Sequence, residues 1–190
     1  MNIKYLIKFL KIIIDSIIYW LRGIRPYRRS DFGACGTGVY VSPGCQFHTP
    51  LQVVMGSDIY FGPSCTVFGH GGVVIGDDVV FGENVMVMSS NHEFDGPRVD
   101  SVPFGTGHVS HPVTIGRGAW LGSHVIVRPG ASIGKFCIVG AGAVIGGHAE
   151  DFGIYAGNPA KLIRKRKNVG IESIPVKWVS SKRGSIRIIE

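Results

Sequence analysis

An all-β solenoid of short three-sided coils is the fold this sequence predicts. Three observations point to it. Large apolar residues recur at six-residue intervals over residues 41–150, with two slips and one interruption, glycine supplies 28 of the 190 residues without a Gly-X-Y period, and 45% of the chain is apolar while only 17% is charged. That apolar fraction excludes intrinsic disorder, and the glycine pattern excludes collagen. Four cysteines are too few for a disulfide scaffold at this length. The length fits one domain with short appendages, expected here as an N-terminal segment 1–30, a solenoid 31–160 and a basic segment 161–190.

The formal net charge of +7 is unevenly placed. Residues 1–30 carry seven basic and one acidic side chain, residues 31–160 four and ten, and residues 161–190 nine and two. An acidic body between two basic ends argues against a nucleic-acid groove across the domain.

In the first segment Ile3, Leu6, Ile7, Leu10, Ile13, Ile14, Ile17, Ile18 and Leu21 follow the spacing of one helical face. Gly23 and Pro26 end that helix. Lys4, Lys8, Lys11 and Asp15 interrupt the apolar run, which is too broken for a membrane span or a secretory signal. Such an amphipathic helix either packs on its own domain or a neighbouring subunit, or lies in a membrane interface through residues 3–21, with Tyr19 and Trp20 at the boundary. The expected location is the cytoplasm, with or without peripheral contact to the inner face of the plasma membrane.

The hexads carry the fold. From Ile115 the chain reads IGRGAW, LGSHVI, VRPGAS, IGKFCI, VGAGAV and IGGHAE without a gap. Each opens on an aliphatic residue, glycine follows in five of the six, and the fifth position is small or β-branched. The same register appears earlier with slips, in units starting at Val41, Phe47, Met55, Phe61, Val67, Ile75, Phe81 and Val87, with two residues inserted before Met55 and again before Ile75. A helix cannot make this pattern, because six residues span about 1.67 turns and smear the apolar positions around the axis. Three flat sides of one hexad each account for it: the large residue fills the interior, the small one sits at the bend, and the glycine is expected to take a turn with φ > 0. Eighteen residues then close a coil, and stacked coils bury a continuous core. In this register Cys45 and Cys65 share a slot on adjacent coils, and Cys137 holds the same slot later; all three read as small buried thiols.

This repeat resembles that of the hexapeptide-repeat acyltransferases, roughly [LIV]-[GAED]-x-x-[STAV]-x. The resemblance implies a left-handed parallel β-helix. It is strongest from Ile115 onward, towards the maltose, galactoside and surface-polysaccharide O-acetyltransferases, in Trp120-Leu121-Gly122-Ser123, Gly140-Ala141-Gly142-Ala143 and Ala156-Gly157-Asn158-Pro159-Ala160-Lys161-Leu162-Ile163-Arg164. It implies acetyl-CoA as co-substrate, with Gly122, Ser123 and Ala141 along its pantetheine arm and Lys161 and Arg164 at its phosphates. Lys161 stands where the family often has Arg and serves as a point charge without bidentate geometry. Gly146-Gly147 replaces a usual polar pair.

Between Val87 and Ile115 the register breaks. Residues 89–114 read as a loop leaving the solenoid, punctuated by Gly96, Pro97, Pro103, Gly105, Gly107 and Pro112, and long loops of this kind tend to be functional. It opens on Asn91-His92-Glu93-Phe94-Asp95. In the enzymes the sequence resembles, a histidine at the mouth of such a loop is the catalytic base, and His92 matches that place. Imidazole titrates near neutral pH and can take the proton of an attacking hydroxyl. Glu93, Asp95 or a backbone carbonyl would fix its tautomer. Asn91, Glu93, Asp95 and Trp120 are candidates for the acceptor side. His108 and His111 lie three apart, but a metal-dependent relative, the hexapeptide-repeat carbonic anhydrase, uses ligands five apart; no metal is expected.

The resemblance thus implies direct acetyl transfer to a sugar hydroxyl of a bacterial surface polysaccharide, O-antigen or related glycoconjugate, by a homotrimer. The alternatives are N-acetylation of a nucleotide-linked amino sugar and a non-catalytic β-helical scaffold.

Overall fold

The computed structural model describes residues 27–93 and 107–167 and the strand Ile186–Arg187. The amphipathic helix expected within residues 1–30 and its membrane contact lie outside the described residues up to Tyr27, as do Asp95 and most of the C-terminal tail. Among the described residues no helix is long and apolar enough to cross a membrane.

The described chain is a β-solenoid with three parallel sheets as its faces. The first face stacks Ala34–Cys35, Val53–Met55, Val73–Ile75, Val113–Ile115, Ser132–Ile133 and His148–Ala149. The second stacks Tyr40–Val41, Tyr60–Phe61, Val80–Phe81, Trp120–Leu121, Ile138–Val139 and Gly153–Ala156, with Ile186–Arg187 and Lys161–Lys165 added antiparallel at its two ends. The third stacks Gln46–His48, Thr66–Phe68, Met86–Met88, Ile126–Val127 and Val144–Ile145. We call the edges between first and second, second and third, and third and first faces the first, second and third edges.

Each hexad turns two side chains inward. The first slot supplies Ile115, Leu121, Val127, Ile133, Val139 and Ile145, and the fifth supplies Ala119, Val125, Ala131, Cys137, Ala143 and Ala149, all buried. The small fifth residue therefore lies inside the prism just past the bend. Phe61 stacks on Phe81 at 4.4 Å, and Phe47 meets Phe61 edge-on. Tyr27 and Phe32 pack on Phe47 and cap the first coil.

The second-slot glycines do not make the left-handed turn. That conformation falls two residues later, at Gly118, His124, Gly130, Phe136 and Gly142. The second slot needs glycine because coils approach closely there. A Cβ on Gly116 would lie 2.7 Å from the carbonyl carbon of Gly134, and one on Gly122 would lie 2.7 Å from the nitrogen of Ala141.

Coil length varies at one edge only. Partners on the second face run Tyr40, Tyr60, Val80, Trp120, Ile138 and Ile154, so residue numbers step by 20, 20, 40, 18 and 16 rather than by a constant eighteen. Crossing the first or the second edge takes six residues between aligned positions every time, as in Thr114 to Trp120 to Ile126. Crossing the third edge takes eight residues from Gln46 to Val54, six from Ile126 to Ser132 and four from Val144 to His148. The two-residue slips seen in the sequence sit at this edge, and so does the long excursion. The Arg117 guanidinium holds the largely buried Asp78 at 2.8 Å and ties the coil before the excursion to the coil after it.

Cys45 and Cys65 stack as expected, and each thiol donates to a carbonyl, of Gly62 and Gly82 respectively, at 3.1 Å. All four cysteines are free. Its hydrogen bond with Cys45 and its burial push the Cys65 thiol up, and burial pushes the Cys137 thiol up to about 12. Half-buried Cys35 is raised by burial too.

Two predictions follow from this packing. Replacing Gly116 by Asn should cost about 1–3 kcal/mol in denaturant unfolding, because space is lacking. The same change at Gly142, where a left-handed φ of 70° meets open space, should cost under about 1 kcal/mol, since Asn tolerates that conformation. A thiol reagent such as Ellman's should modify no more than Cys35 in the native protein and all four cysteines after denaturation.

Candidate active site

The excursion leaves the third edge through a neck that the sequence pattern did not reveal. Ser89 is fully buried. Its hydroxyl donates to the carbonyl of Phe68 at 2.7 Å and accepts the N–H of Gly71 at 2.8 Å, and its carbonyl accepts the N–H of His111 at 2.8 Å. Both ends of the excursion are thereby fastened to the preceding coil.

Beyond the neck, Ser90–His92 pairs antiparallel with His108–Ser110, with His92 directly opposite His108. The Glu93 N–H donates to the carbonyl of Gly107, and the Asn91 side chain accepts the N–H of His92 at 2.9 Å. This ribbon carries the His92 imidazole into solvent. Its ring lies 4.7 Å from that of His108, inclined at 38°, and His108 lies 6.4 Å from and parallel to His70. The Glu93 carboxylate lies beside Gly107. The sequence offered His108 only as half of a metal pair with His111; the structure makes it the cross-strand neighbour of His92. Among the described residues no three His, Cys, Asp or Glu side chains are grouped to hold a metal ion.

The donor-side candidates gather on the second edge. Gly122, Ser123 and Ala141 lie on adjacent coils, with the Gly142 N–H bonded to the Ser123 carbonyl at 2.8 Å. The Gly122 N–H is used in the ladder, donating to Val139 at 2.7 Å. The N–H groups of Ser123 and Ala141 make no hydrogen bond among the described residues, which leaves two backbone donors one coil apart.

The basic strand Lys161–Lys165 continues the second face beside them, with Lys161 opposite Ala156 and Arg164 opposite Ile154. Its charges divide into two groups. Lys165 pairs with Glu150 at 2.7 Å, which holds that carboxyl below the usual carboxylate range and raises Lys165. Arg166 donates to the carbonyl of Phe136 at 3.0 Å. Lys161 and Arg164 are exposed and have no acidic partner among the described residues. Arg164 donates to the Lys165 carbonyl.

Trp120 projects outward from the second face and is 52% exposed. That face lies opposite the third edge. One chain therefore keeps His92 apart from both Trp120 and the Gly122–Ala141 edge.

Residues 112–147 match the family described as bacterial transferase hexapeptide (six repeats), which bears out the resemblance carried by the hexads. The galactoside O-acetyltransferase of Escherichia coli (strain K12) is 39% identical over 56 residues, 30% of this chain and 28% of that protein. The chain spans under a third of the length of the curated relatives it matches. Among solved structures, a galactoside acetyltransferase in complex with coenzyme A superposes with a TM-score of 0.64 at 28% identity, covering 72% of this chain and 66% of that one. A maltose O-acetyltransferase from Clostridium difficile 630 superposes with a TM-score of 0.66 at 26% identity, covering 74% and 73%.

Ser89→Ala should leave the half-buried Gly71 N–H and the Phe68 carbonyl without their hydroxyl partner and cost about 1–3 kcal/mol. Hydrogen exchange at Gly71 should accelerate more than at interior amides of the second face, such as Leu121.

Proposed function

We propose that the protein is an acetyl-CoA-dependent O-acetyltransferase acting on a sugar hydroxyl of a bacterial surface polysaccharide, O-antigen or related glycoconjugate. The observation that carries this reading is the pair of backbone donors, Ser123 and Ala141, unused among the described residues and stacked on one edge, with the cations Lys161 and Arg164, which have no acidic partner among the described residues, on the strand that continues the adjoining face. A carbonyl of a pantetheine arm fits the Ala141 N–H, the thioester carbonyl fits the Ser123 N–H, and the phosphates fit the two cations. The similarity to a galactoside acetyltransferase in complex with coenzyme A supports the same donor.

In this reading the acceptor hydroxyl oxygen attacks the thioester carbonyl carbon while the His92 imidazole takes the hydroxyl proton. The tetrahedral oxyanion is stabilised by a backbone N–H of the donor edge, Ser123 rather than Gly122, whose N–H is already used. The C–S bond then breaks, the imidazolium returns its proton to the thiolate sulfur, and an ester and free CoA leave. Asn91, Glu93 and the outward Trp120 line the acceptor side, together with Asp95, which lies outside the described residues. His92 and the donor edge stand at different edges of one prism, so the site needs a second copy of the chain. A homotrimer, with the loop edge of each protomer against the second edge of the next, supplies three such sites. The positively charged segment 1–30 would bring the enzyme to an anionic membrane surface.

The test is thiol release from acetyl-CoA with candidate glycans, followed by mass spectrometry of the product. His92→Ala should lower kcat by about 10²–10⁴-fold. The double change Lys161→Ala with Arg164→Ala should chiefly raise KM for acetyl-CoA. Mixed assemblies of these two defective forms should recover activity that neither has alone; failure to recover any would remove the shared site.

A further inference from the structure

Among the described residues Arg128 is a cation that the fold leaves unused. Arg29, Arg117, Arg164 and Arg166 each donate to an oxygen of the fold. The Arg128 guanidinium donates to none among the described residues, and no carboxylate there pairs with it. Its side chain is nevertheless laid down in a definite place. The Arg128 N–H donates to the carbonyl of Ile145 at 2.8 Å, which continues the register of Ile126–Val127 on Val144–Ile145 and sets Arg128 over Gly146. A Cβ on Gly146 would meet Arg128 Cβ at 3.5 Å, Cδ at 3.6 Å and Nη1 at 3.9 Å. The guanidinium therefore reaches the level of the last strand of the third face.

That strand is covered at one end only. The Val144 N–H donates to the carbonyl of Gly157 at 3.0 Å, and the Val144 carbonyl accepts the N–H of Ala160 at 2.8 Å. The turn that supplies both partners goes no further along the strand. The N–H groups of Gly146 and Gly147 make no hydrogen bond among the described residues. Gly147 has a left-handed φ of 70°, and a Cβ there would meet nothing within 4 Å. Successive backbone N–H groups at a left-handed turn form a concavity suited to an anion. The acids that follow in the chain are engaged elsewhere: Glu150 pairs with Lys165, and Asp151 accepts the N–H of Lys135. The corner keeps its positive charge.

We propose that Arg128 and the N–H groups of Gly146 and Gly147 form a phosphate-binding corner at the third-edge end of the last third-face strand. A phosphate ester supplies what the corner lacks. Two of its oxygens fit the fork of the guanidinium, and another remains for the bare N–H groups. Lys161 follows Ala160 at the opposite end of the same strand, so the corner adjoins the position assigned above to the phosphates of acetyl-CoA. It rests on that reading only for the source of the phosphate. Coenzyme A, with a diphosphate and a separate 3′-phosphate, is one source, and a phosphate carried by the acceptor sugar is the other.

The test treats the full chain with phenylglyoxal, which modifies accessible guanidinium groups, and reads each arginine by mass spectrometry. The reaction is run alone and with saturating inorganic pyrophosphate, coenzyme A, 3′-dephospho-coenzyme A or glucose 1-phosphate. Arg128 should react in the free protein and be protected by pyrophosphate, and the organic probes then name the source. Protection by both forms of coenzyme A assigns its diphosphate, and protection by the intact form alone assigns its 3′-phosphate. Protection by glucose 1-phosphate without either assigns a phosphorylated acceptor. Arg128→Ala should raise the Kd of the protecting ligand by about 10–100-fold. Gly147→Asp, which sets a carboxylate in the corner at a φ that Asp tolerates, should weaken it too. If no probe protects Arg128 while coenzyme A protects Arg164, the corner falls and the acetyl-CoA reading stands. If pyrophosphate protects Arg128 while coenzyme A protects neither arginine, the reverse holds. A Kd unchanged by Arg128→Ala would also overturn the corner.

Discussion

Everything in this solenoid depends on how closely one coil lies on the next. Parallel strands stack at about 4.8 Å, and at the start of each bend the separation leaves no room for a side chain. The result is a column of glycines, Gly56, Gly76, Gly116 and Gly134 on one edge and Gly62, Gly82 and Gly122 on another, each facing the backbone of the following coil. The left-handed residue two positions on turns the chain, and the small fifth residue enters the interior behind it. Each coil is held by its neighbours through identical ladders, so length is fixed at six residues across the first and second edges. Stability of such a stack is shared between neighbours rather than concentrated in one core.

The third edge escapes this rule, and chemistry-bearing residues collect there. Its crossings take four, six, eight or, with the excursion, 28 residues between aligned positions. Ser89 makes the longest crossing compatible with the stack by holding Phe68 and Gly71 of the preceding coil with its hydroxyl and the His111 N–H of the returning chain with its carbonyl, so the ribbon bearing His92 begins from a fixed base. The second edge has the opposite character. Its regular stacking places the N–H groups of Ser123 and Ala141 one coil apart, a periodic surface suited to an extended ligand. An edge of variable length for the proposed base and a regular edge for the proposed donor site follow from one geometric constraint, and their separation around the prism makes association of chains part of the proposed chemistry.

The basic C-terminal segment divides along similar lines. Charges near the first edge are used within the fold: Lys165 with Glu150, Arg166 with the Phe136 carbonyl. Lys161, opposite Ala156 at the second-edge end of the strand, and Arg164, opposite Ile154, have no acidic partner among the described residues. Strand pairing decides which is which, because it sets the side of the sheet on which each residue of a continuous basic run emerges.

The period is legible in the linear order of residues, and with it the solenoid, the inward positions, the stacking of Cys45 on Cys65 and the break that exposes His92. Those features are local or repeat at a fixed interval, so a linear reading recovers them. It also located the candidate donor residues, since Gly122, Ser123 and Ala141 sit in hexads that run without interruption. It misread the glycines, whose cause is a neighbour about eighteen residues away rather than the local turn. It passed over Ser89 and gave His108 no place beside His92, because both roles arise only when the excursion closes on itself. Which residues share an edge, and that His92 and the donor edge do not, was decided by the tertiary structure alone. Coil lengths of 20, 40, 18 and 16 residues shift the angular position of every later residue, and only the stacked coils fix where those shifts are absorbed.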